Sequence, residues 1–145
     1  MKVGIAGFGV IGKAVARALE LGVDNAVLEA VCSGNQSKAR KSLENFGWDV
    51  DVVSPQELAD RCDIIVECAP TSAFLEIVEP ALKAGRIIVT VSAAALIENM
   101  QVVDLAGACG GRIVMATGAL LGLDAVRAAA EGDIYAVTMV TRKPP

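Results

Sequence analysis

Short apolar runs alternate with segments of helical periodicity along almost the whole chain. Apolar runs bounded by glycine, proline or small polar residues predict strands that are buried on both faces. The predicted strands are 2–6, 27–32, 51–53, 63–68, 86–92 and 112–116. The predicted helices are 9–21, 37–46, 55–61, 73–84, 98–108 and 123–131. Residues 133–142 alternate in a way that predicts a last extended strand, at the start of a mixed sheet.

Individual residues sharpen several of these helix predictions. Ser54 and Glu57 form a capping box with Pro55 at the first helical position. Pro80 lies inside the helix at 73–84 and is expected to kink or split it. One face of the first helix is predicted from the spacing of Val10, Ala14, Ala18 and Leu21.

Strands separated by helices favour an α/β protein with helices on both faces of a parallel sheet. The predicted fold is therefore a Rossmann-type doubly wound parallel sheet, followed by the first strand of a second, incomplete domain. The predicted boundaries place this domain at 1–118 and the start of the second domain at 119–145.

Composition narrows the possible partners. The chain has 145 residues, 54% of them hydrophobic and only 3% aromatic, and a net charge of -4. An acidic chain without basic runs is a poor partner for nucleic acid or anionic membranes. No apolar stretch approaches the length of about 18 residues that a membrane span needs. The mean hydropathy of +0.53 is high, which suggests apolar surface that expects a partner.

The four cysteines form no CxxC pair, and the chain contains no histidine to complete a zinc site. No metal site is therefore predicted. Cysteines of this kind are expected to be small buried residues in a reducing cytoplasm.

The strongest motif is Gly7-Phe8-Gly9-Val10-Ile11-Gly12, which follows a predicted strand and opens a predicted helix. In that context G-x-G-x-x-G is the dinucleotide fingerprint. Gly7 permits the tight turn, Gly9 lets the backbone approach a pyrophosphate, and Gly12 allows close packing of helix and strand. The free N–H groups of the helix N-terminus favour phosphate binding.

The second part of that fingerprint, an acid at the end of the second strand, is missing. Ser33, Gly34 and Asn35 stand there instead, and Lys38 and Arg40 follow. No carboxylate would repel a 2′-phosphate, so NADP is predicted to be accepted alongside NAD. The two basic residues either favour that phosphate or simply solvate an exposed helix.

Three further strand ends carry candidate residues, because ligands of parallel sheets lie beyond the carboxyl ends of the strands. These are Glu67-Cys68-Ala69-Pro70, Ser92-Ala93-Ala94-Ala95 and Thr117-Gly118-Ala119. Small residues there leave room for a nicotinamide ring. Glu67 is interpreted either as a titrating group or, preferably, as a helix-capping carboxylate.

The segments at 66–70, 91–96, 117–125 and 137–145 together resemble L-aspartate dehydrogenases, and the resemblance covers essentially the whole chain. It implies an oxidoreductase that converts L-aspartate to iminoaspartate, and so to oxaloacetate and ammonia, with NAD or NADP. Some members feed iminoaspartate into NAD biosynthesis. The resemblance further implies that 1–118 is an NAD(P)-binding domain, that 119–145 begins a truncated substrate and dimerisation domain, and that the enzyme is a homodimer when complete. A cytoplasmic location is predicted from the cysteines.

The candidate cofactor contacts combine the fingerprint, the strand ends and this resemblance. They are Gly7, Gly9, Val10, Ile11, Gly12, Ser33, Cys68, Ala69, Pro70, Ser92 and Ala95. Ala95 matches a contact alanine of the family. Two departures are Ala94, where the family usually has glycine, and Met115 or Ala116, where it often has proline.

The resemblance also implies a catalytic histidine in a substrate domain beyond Pro145, so no catalytic residue is expected within this chain. The expected behaviour is cofactor binding with negligible turnover of L-aspartate. A pair of charges at Arg142 and Lys143 is expected to be solvated rather than to bind a dicarboxylate. Two alternatives stay open: a related oxidoreductase of the homoserine dehydrogenase or dihydrodipicolinate reductase type, and a non-catalytic dinucleotide-sensing module.

Overall fold

The structure is a computed structural model that describes residues 1–44, 46, 49–116, 122–140 and 142. Strands and helices alternate through most of this part of the chain, as predicted. The strands are β1 (Lys2–Ala6), β2 (Val27–Cys32), β3 (Asp51–Val53), β4 (Ile64–Glu67), β5 (Ile87–Thr90) and β6 (Arg112–Met115). The helices are α1 (Val10–Leu21), α2 (Gln36–Leu43), α3 (Pro55–Arg61), α4 (Phe74–Lys83), α5 (Ala93–Glu98), α6 (Gln101–Cys109) and α7 (Leu123–Ala129).

The six strands form one parallel sheet in the order β3-β2-β1-β4-β5-β6. The order reverses between β1 and β4, which gives the sheet its topological switch point. This arrangement confirms the predicted Rossmann-type doubly wound sheet. The bounds of β1, β2 and β3 are those predicted from the sequence.

Two apolar clusters cover the two faces of the sheet. Val3 and Ile5 of β1 pack in the cluster that contains buried residues of α1 and α2. Ala6 points to the opposite face, where the second cluster contains residues of α3, α4 and α6. Side chains alternate between faces along a strand, so the continuous apolar runs of the sequence supply both clusters.

The first helix buries a different face from the one predicted. Its buried residues are Gly12, Ala16 and Leu19, whereas Val10 is 88% and Leu21 is 83% exposed. Both stripes satisfy helical spacing, so periodicity alone could not choose between them. The face of α1 that carries Gly12 approaches the sheet, because a glycine has no side chain to hold the helix away. An apolar stripe consequently faces outward.

Helix α4 is preceded by a 3-10 turn at Thr71–Ala73 and continues through Pro80, so of the two predicted effects of this proline the split does not occur. Proline removes only one backbone hydrogen bond, whereas the helix buries a row of large apolar residues in the core. That row consists of Phe74, Ile77, Val78, Ala81 and Leu82.

Two predictions in the second half of the chain need correction. The helix predicted at 98–108 is present as α6 but begins only at Gln101, and it is preceded by α5, which was not predicted; Asn99 ends α5 by donating from its side chain to Ala95 O at 2.8 Å. Residues 133–140 form no strand and are exposed, so the predicted last strand is not formed. A strand needs a hydrogen-bonded neighbour, and this segment pairs with none of the described residues.

The capping box that starts α3 is formed as predicted. Ser54 Oγ accepts from Glu57 N at 3.2 Å, and a Glu57 carboxylate oxygen accepts from Ser54 N at 2.9 Å. These hydrogen bonds hold the pKa of Glu57 below its usual value.

Among the described helices, none is both long and apolar enough to cross a membrane.

Candidate functional site

The last residues of all six strands lie in one row across the sheet. Parallel pairing places Cys32 beside Ala6, Ala6 beside Glu67, and Glu67 beside Thr90. Val53 and Met115 extend the row at its two ends. The row marks the carboxyl edge of the sheet, where open α/β folds bind their ligands.

A cleft of about 1010 Å³ opens at this edge. Loops after β1, β2, β3 and β4 form it, together with the starts of α1 and α4. Its lining includes seven of the eleven predicted contacts: Gly7, Gly9, Val10, Ser33, Cys68, Ala69 and Pro70. These seven residues therefore lie together at one cleft, and their role as cofactor contacts stays a prediction.

The fingerprint glycines at positions 7 and 12 are required by the protein itself. Gly7 has φ +97°, and a Cβ there would lie 2.4 Å from Cys68 O. Gly12 lies so close to the preceding loop that a Cβ would be 2.0 Å from Gly7 O. The predicted tight turn and close helix packing are thus present, and both glycines can be explained without a ligand.

Gly9 is different, because nothing in the protein requires a glycine there. Its backbone angles of φ -83° and ψ -152° suit any residue, and a Cβ would meet no described atom within 4 Å. The missing side chain leaves open space in the wall of the cleft, beside the start of α1. That space fits a dinucleotide pyrophosphate, which needs close approach to the backbone at this glycine.

The N-terminus of α1 has the electrostatic character that such a ligand needs. No side chain caps α1, so the N–H groups of its first turn have no side-chain acceptor. No acidic residue lies in that turn to offset the positive end of the helix dipole. Lys13, half-buried, lines the cleft from the same turn. Anions are therefore favoured at this position.

The end of β2 is polar and open. Asn35 accepts from Lys38 N at 3.0 Å and from Ser37 Oγ at 3.0 Å, so its side chain caps α2. Arg40 donates to Val52 O at 3.4 Å, which ties this guanidinium to β3. Lys38 is exposed and lines the cleft. Of the two basic residues, Lys38 and Arg40, only Lys38 therefore lines the cleft.

At the end of β4, the carboxylate of Glu67 is fully buried and is surrounded by hydrogen-bond donors. One oxygen accepts from Thr90 Oγ1 at 2.5 Å, and the other accepts from Ala69 N at 2.9 Å and Ser92 Oγ at 3.2 Å. Thr90 Oγ1 also accepts from Ser92 N at 3.0 Å. The interpretation of Glu67 as a helix cap is wrong, because its partners are the last residue of β5 and two residues in the loops that follow β4 and β5.

The thiol of Cys68 links two loops of the cleft by donating to Gly7 O at 3.0 Å. Burial, together with the nearby carboxylate of Glu67, raises the pKa of Cys68 to about 11. Burial and Glu76 raise the pKa of Cys32 likewise to about 11. Both thiols are therefore protonated near neutral pH and unsuited to nucleophilic chemistry.

The expectation that the cysteines are buried is only partly met. Cys32 and Cys62 are buried and Cys68 is half-buried, but Cys109 at the end of α6 is exposed. The exposed position is explained by α6, which buries Val102 and Ala106 and turns its last residue outward.

Four predicted contacts do not line the cleft. Gly12 is buried beneath the loop, and Ile11 is half exposed on the outside of α1. Ser92 is half-buried and donates a hydrogen bond to Glu67. Ala95 is fully buried in the apolar core. Thr117, Gly118 and Ala119 lie outside the described residues, as does Lys143, and Arg142 is exposed.

Several cleft residues were not anticipated. Val53 ends β3 and Ser54 and Pro55 follow it, at a strand end that the same argument would have included. Phe8 and Lys13 belong to the loop and helix of the glycine motif. Ser72, Ala73, Glu76 and Ile77 of the 3-10 turn and α4 carried no signal of their own.

The fold and this cleft define a Rossmann-type dinucleotide-binding domain. Residues 7–116 match the family profile of the NAD binding domain of homoserine dehydrogenase. The match covers well over half of the chain, and the chain belongs to this family of NAD-binding domains.

Curated relatives extend the comparison. An L-aspartate dehydrogenase of Bradyrhizobium diazoefficiens is 46% identical over 99% of this chain and 51% of its own length. L-aspartate dehydrogenase 3 of Bordetella bronchiseptica is 44% identical over 99% of this chain and 53% of its own length. The chain therefore spans about half the length of these relatives.

A solved structure agrees on the fold. The crystal structure of a probable dehydrogenase from Thermotoga maritima superposes with a TM-score of 0.72, at 21% identity, over 90% of this chain and 41% of that one.

Proposed function

We propose that this chain is the cofactor-binding half of an NAD(P)-dependent L-aspartate dehydrogenase. The reaction is oxidation of L-aspartate to iminoaspartate, which water converts to oxaloacetate and ammonia. The bound nicotinamide supplies the hydride acceptor. The observation that carries the cofactor role is Gly9, a glycine with ordinary backbone angles that faces open space in the cleft. The names of the curated relatives support the choice of substrate.

The residues of the cleft suggest how a dinucleotide would be held. The first-turn N–H groups of α1, with Lys13 nearby, would bind the pyrophosphate. The adenosine half would lie towards the end of β2, beside Ser33. The nicotinamide half would lie towards the end of β4, beside Cys68, Ala69 and Pro70.

We propose that both NAD and NADP are accepted. The end of β2 carries no carboxylate against a 2′-phosphate, and Lys38 adds a positive charge to this part of the cleft. Because Lys38 is exposed, its contribution is modest and sensitive to salt.

Residues 1–145 are expected to bind cofactor without oxidising L-aspartate. The sequence contains no histidine for proton transfer and covers about half of the relatives' length. We keep the domain division at 1–118 and 119–145 as part of this proposal, together with a homodimer for the complete protein. The exposed segment at 133–140 is consistent with a separate role for the end of the chain.

The cofactor role is tested by titrating the chain with NADH and NADPH, beside Gly9→Val and Gly107→Ala. Both glycines face open space, but only Gly9 lines the cleft. We expect Gly9→Val to melt like the wild type while its affinity for both cofactors falls by more than about tenfold. Gly107→Ala, in α6, should leave affinity unchanged. Equal affinity of Gly9→Val and wild type would contradict the proposal.

The substrate is tested with a chimaera in which residue 145 continues into the remaining half of the Bradyrhizobium relative. We expect L-aspartate-dependent reduction of NAD⁺ or NADP⁺ by the chimaera and none by residues 1–145 alone. The family profile names homoserine dehydrogenase, so L-homoserine is the second candidate substrate. An inactive chimaera that still binds NADH would separate this chain from the aspartate dehydrogenases.

A further inference from the structure

Glu67 is unusual among the acids of this protein because it is fully buried. Its three hydrogen bonds all come from neutral groups: a backbone N–H and two hydroxyls. No ion pair joins it to a lysine or arginine in the part of the chain that the structure describes. An acid buried without a cation is costly to the fold, so its presence calls for an explanation.

The position of Glu67 supplies that explanation. It ends β4, on the side of the switch point opposite to β2. Ala69, whose N–H lies 2.9 Å from the carboxylate, forms part of the cleft wall. Only one layer of backbone therefore separates the carboxylate from the cleft, in the half assigned above to the nicotinamide.

The charge of Glu67 is felt at that wall. The Cys68 thiol lines the cleft, and Glu67 contributes to the rise in its pKa, after burial. Geometry gives the same result: Cys68 follows Glu67 directly in the chain and Ala69 N donates to the carboxylate at 2.9 Å, so the carboxylate lies directly behind two residues of the cleft wall. Low-polarity surroundings strengthen such an effect compared with water.

A nicotinamide ring carries a positive charge when oxidised and none when reduced. We propose that Glu67 is a positioning residue that also sets the balance between the two cofactor forms: its carboxylate favours the oxidised ring over the reduced ring. This inference rests on the proposed function, because it requires a dinucleotide in the cleft.

Two roles of Glu67 can be separated experimentally. Its hydrogen bonds hold the 68–70 loop and the end of β5, and loosening them would weaken both cofactor forms alike. Its charge distinguishes the two forms only through the ring, because the rest of the dinucleotide carries the same charges in both. The ratio of the Kd of NAD⁺ to the Kd of NADH therefore reports the charge, and a merely structural role would not move it.

The test is calorimetric titration of the whole chain with NAD⁺ and NADH, for wild type, Glu67→Gln and Glu76→Gln. Gln has the shape of Glu and keeps an oxygen for Ala69 N. Glu76 is the matched control, since it also lines the cleft but acts on Cys32 at the β2 end. We expect Glu67→Gln to raise the NAD⁺/NADH Kd ratio about fivefold, the order expected for one unit charge acting across a layer of backbone. Glu76→Gln should change both constants by the same factor.

The outcomes distinguish this inference from the proposed function. A wild-type chain that binds neither form overturns both. A wild type that binds both forms, with an unchanged ratio in folded Glu67→Gln, overturns only the role of the charge. Glu67→Met provides a second neutral variant, with folding checked by thermal melting. If neither neutral variant folds, Glu67 is required for the fold and the proposed role is rejected.

Discussion

The carboxyl ends of β2 and β4 flank the same central strand, β1, but they are built in opposite ways. At the β2 end, Ser33, Gly34 and Asn35 are polar and reach solvent, and side-chain contacts there are local. At the β4 end, the buried carboxylate of Glu67 is bonded by Thr90 of β5 and by Ala69 and Ser92 of the loops after β4 and β5. Substitutions at the β2 end should have little effect on the fold, whereas the β4 end connects the cleft to the buried core.

This difference has a consequence for the two halves of a bound dinucleotide. The adenosine half would meet an open surface whose selectivity rests on exposed side chains. The nicotinamide half would meet a wall held by a buried network. Changes at the β2 end should therefore alter cofactor preference, and changes at the β4 end should alter stability as well.

The largest expected effect is on the buried network. Thr90→Val keeps the shape of the side chain but removes the donor to Glu67 and the acceptor for Ser92 N. Leaving a buried carboxylate short of a partner should cost about 3 kcal/mol in the free energy of unfolding. Urea denaturation measures the loss. Ser33→Ala at the β2 end is the control, with an expected change within about 0.5 kcal/mol. Similar losses in the two variants would remove the contrast between the ends.

The second effect concerns the two thiols beside the cleft. A thiol with a pKa of about 11 is ionised about a hundredfold less at pH 8 than an ordinary thiol. Iodoacetamide should therefore modify Cys32 and Cys68 after the exposed Cys109. Their rates should rise about tenfold per pH unit up to pH 11, because each unit increases the thiolate fraction tenfold. Peptide mass spectrometry follows each site, and a rapid reaction of Cys68 at pH 8 would contradict the burial argument.

The third effect concerns cofactor selectivity at the β2 end. Ser33→Asp places an acid where many dinucleotide-binding domains hold the ribose hydroxyl. We expect the affinity for NADPH relative to NADH to fall about tenfold, through repulsion of the 2′-phosphate. The melting temperature should stay close to that of the wild type. Unchanged selectivity would mean that the adenosine ribose lies elsewhere.

The smallest effect concerns Lys38. Lys38→Ala should weaken NADPH about threefold and leave NADH unchanged, since an exposed cation contributes little. Arg40→Ala is the matched control, because that side chain is bonded to Val52 O and does not line the cleft. The difference should shrink as salt is added. A larger loss in the Arg40 variant would reverse the assignment of the two side chains.

Much of the fold could be predicted because it depends on local signals. Apolar runs located the strands, and Ser54 with Glu57 located the start of α3. The prediction failed where two local patterns competed, as on α1. Packing also keeps α4 continuous through Pro80, a local helix breaker. The prediction also failed at 133–140, because a strand depends on a neighbour that the segment itself cannot supply.

The site shows the same division. Most of the residues predicted from the glycine motif and from strand ends line the cleft, as Gly9 and Ala69 do, but Ile11, Gly12 and Ser92 do not. Ala95 is instead buried in the core, since the turn that was expected around it is the helix α5. Its assignment as a cofactor contact stays a prediction.

The amino-acid sequence by itself determined the order of strands and helices, the glycine loop and the absence of an acid after β2, since each is a feature of a few consecutive residues. Only the tertiary structure decided which face of α1 is buried and what surrounds Glu67. Thr90 and Ser92 lie 23 and 25 residues from Glu67 along the chain. They meet it because parallel register aligns the ends of β4 and β5. That alignment is a property of the sheet as a whole.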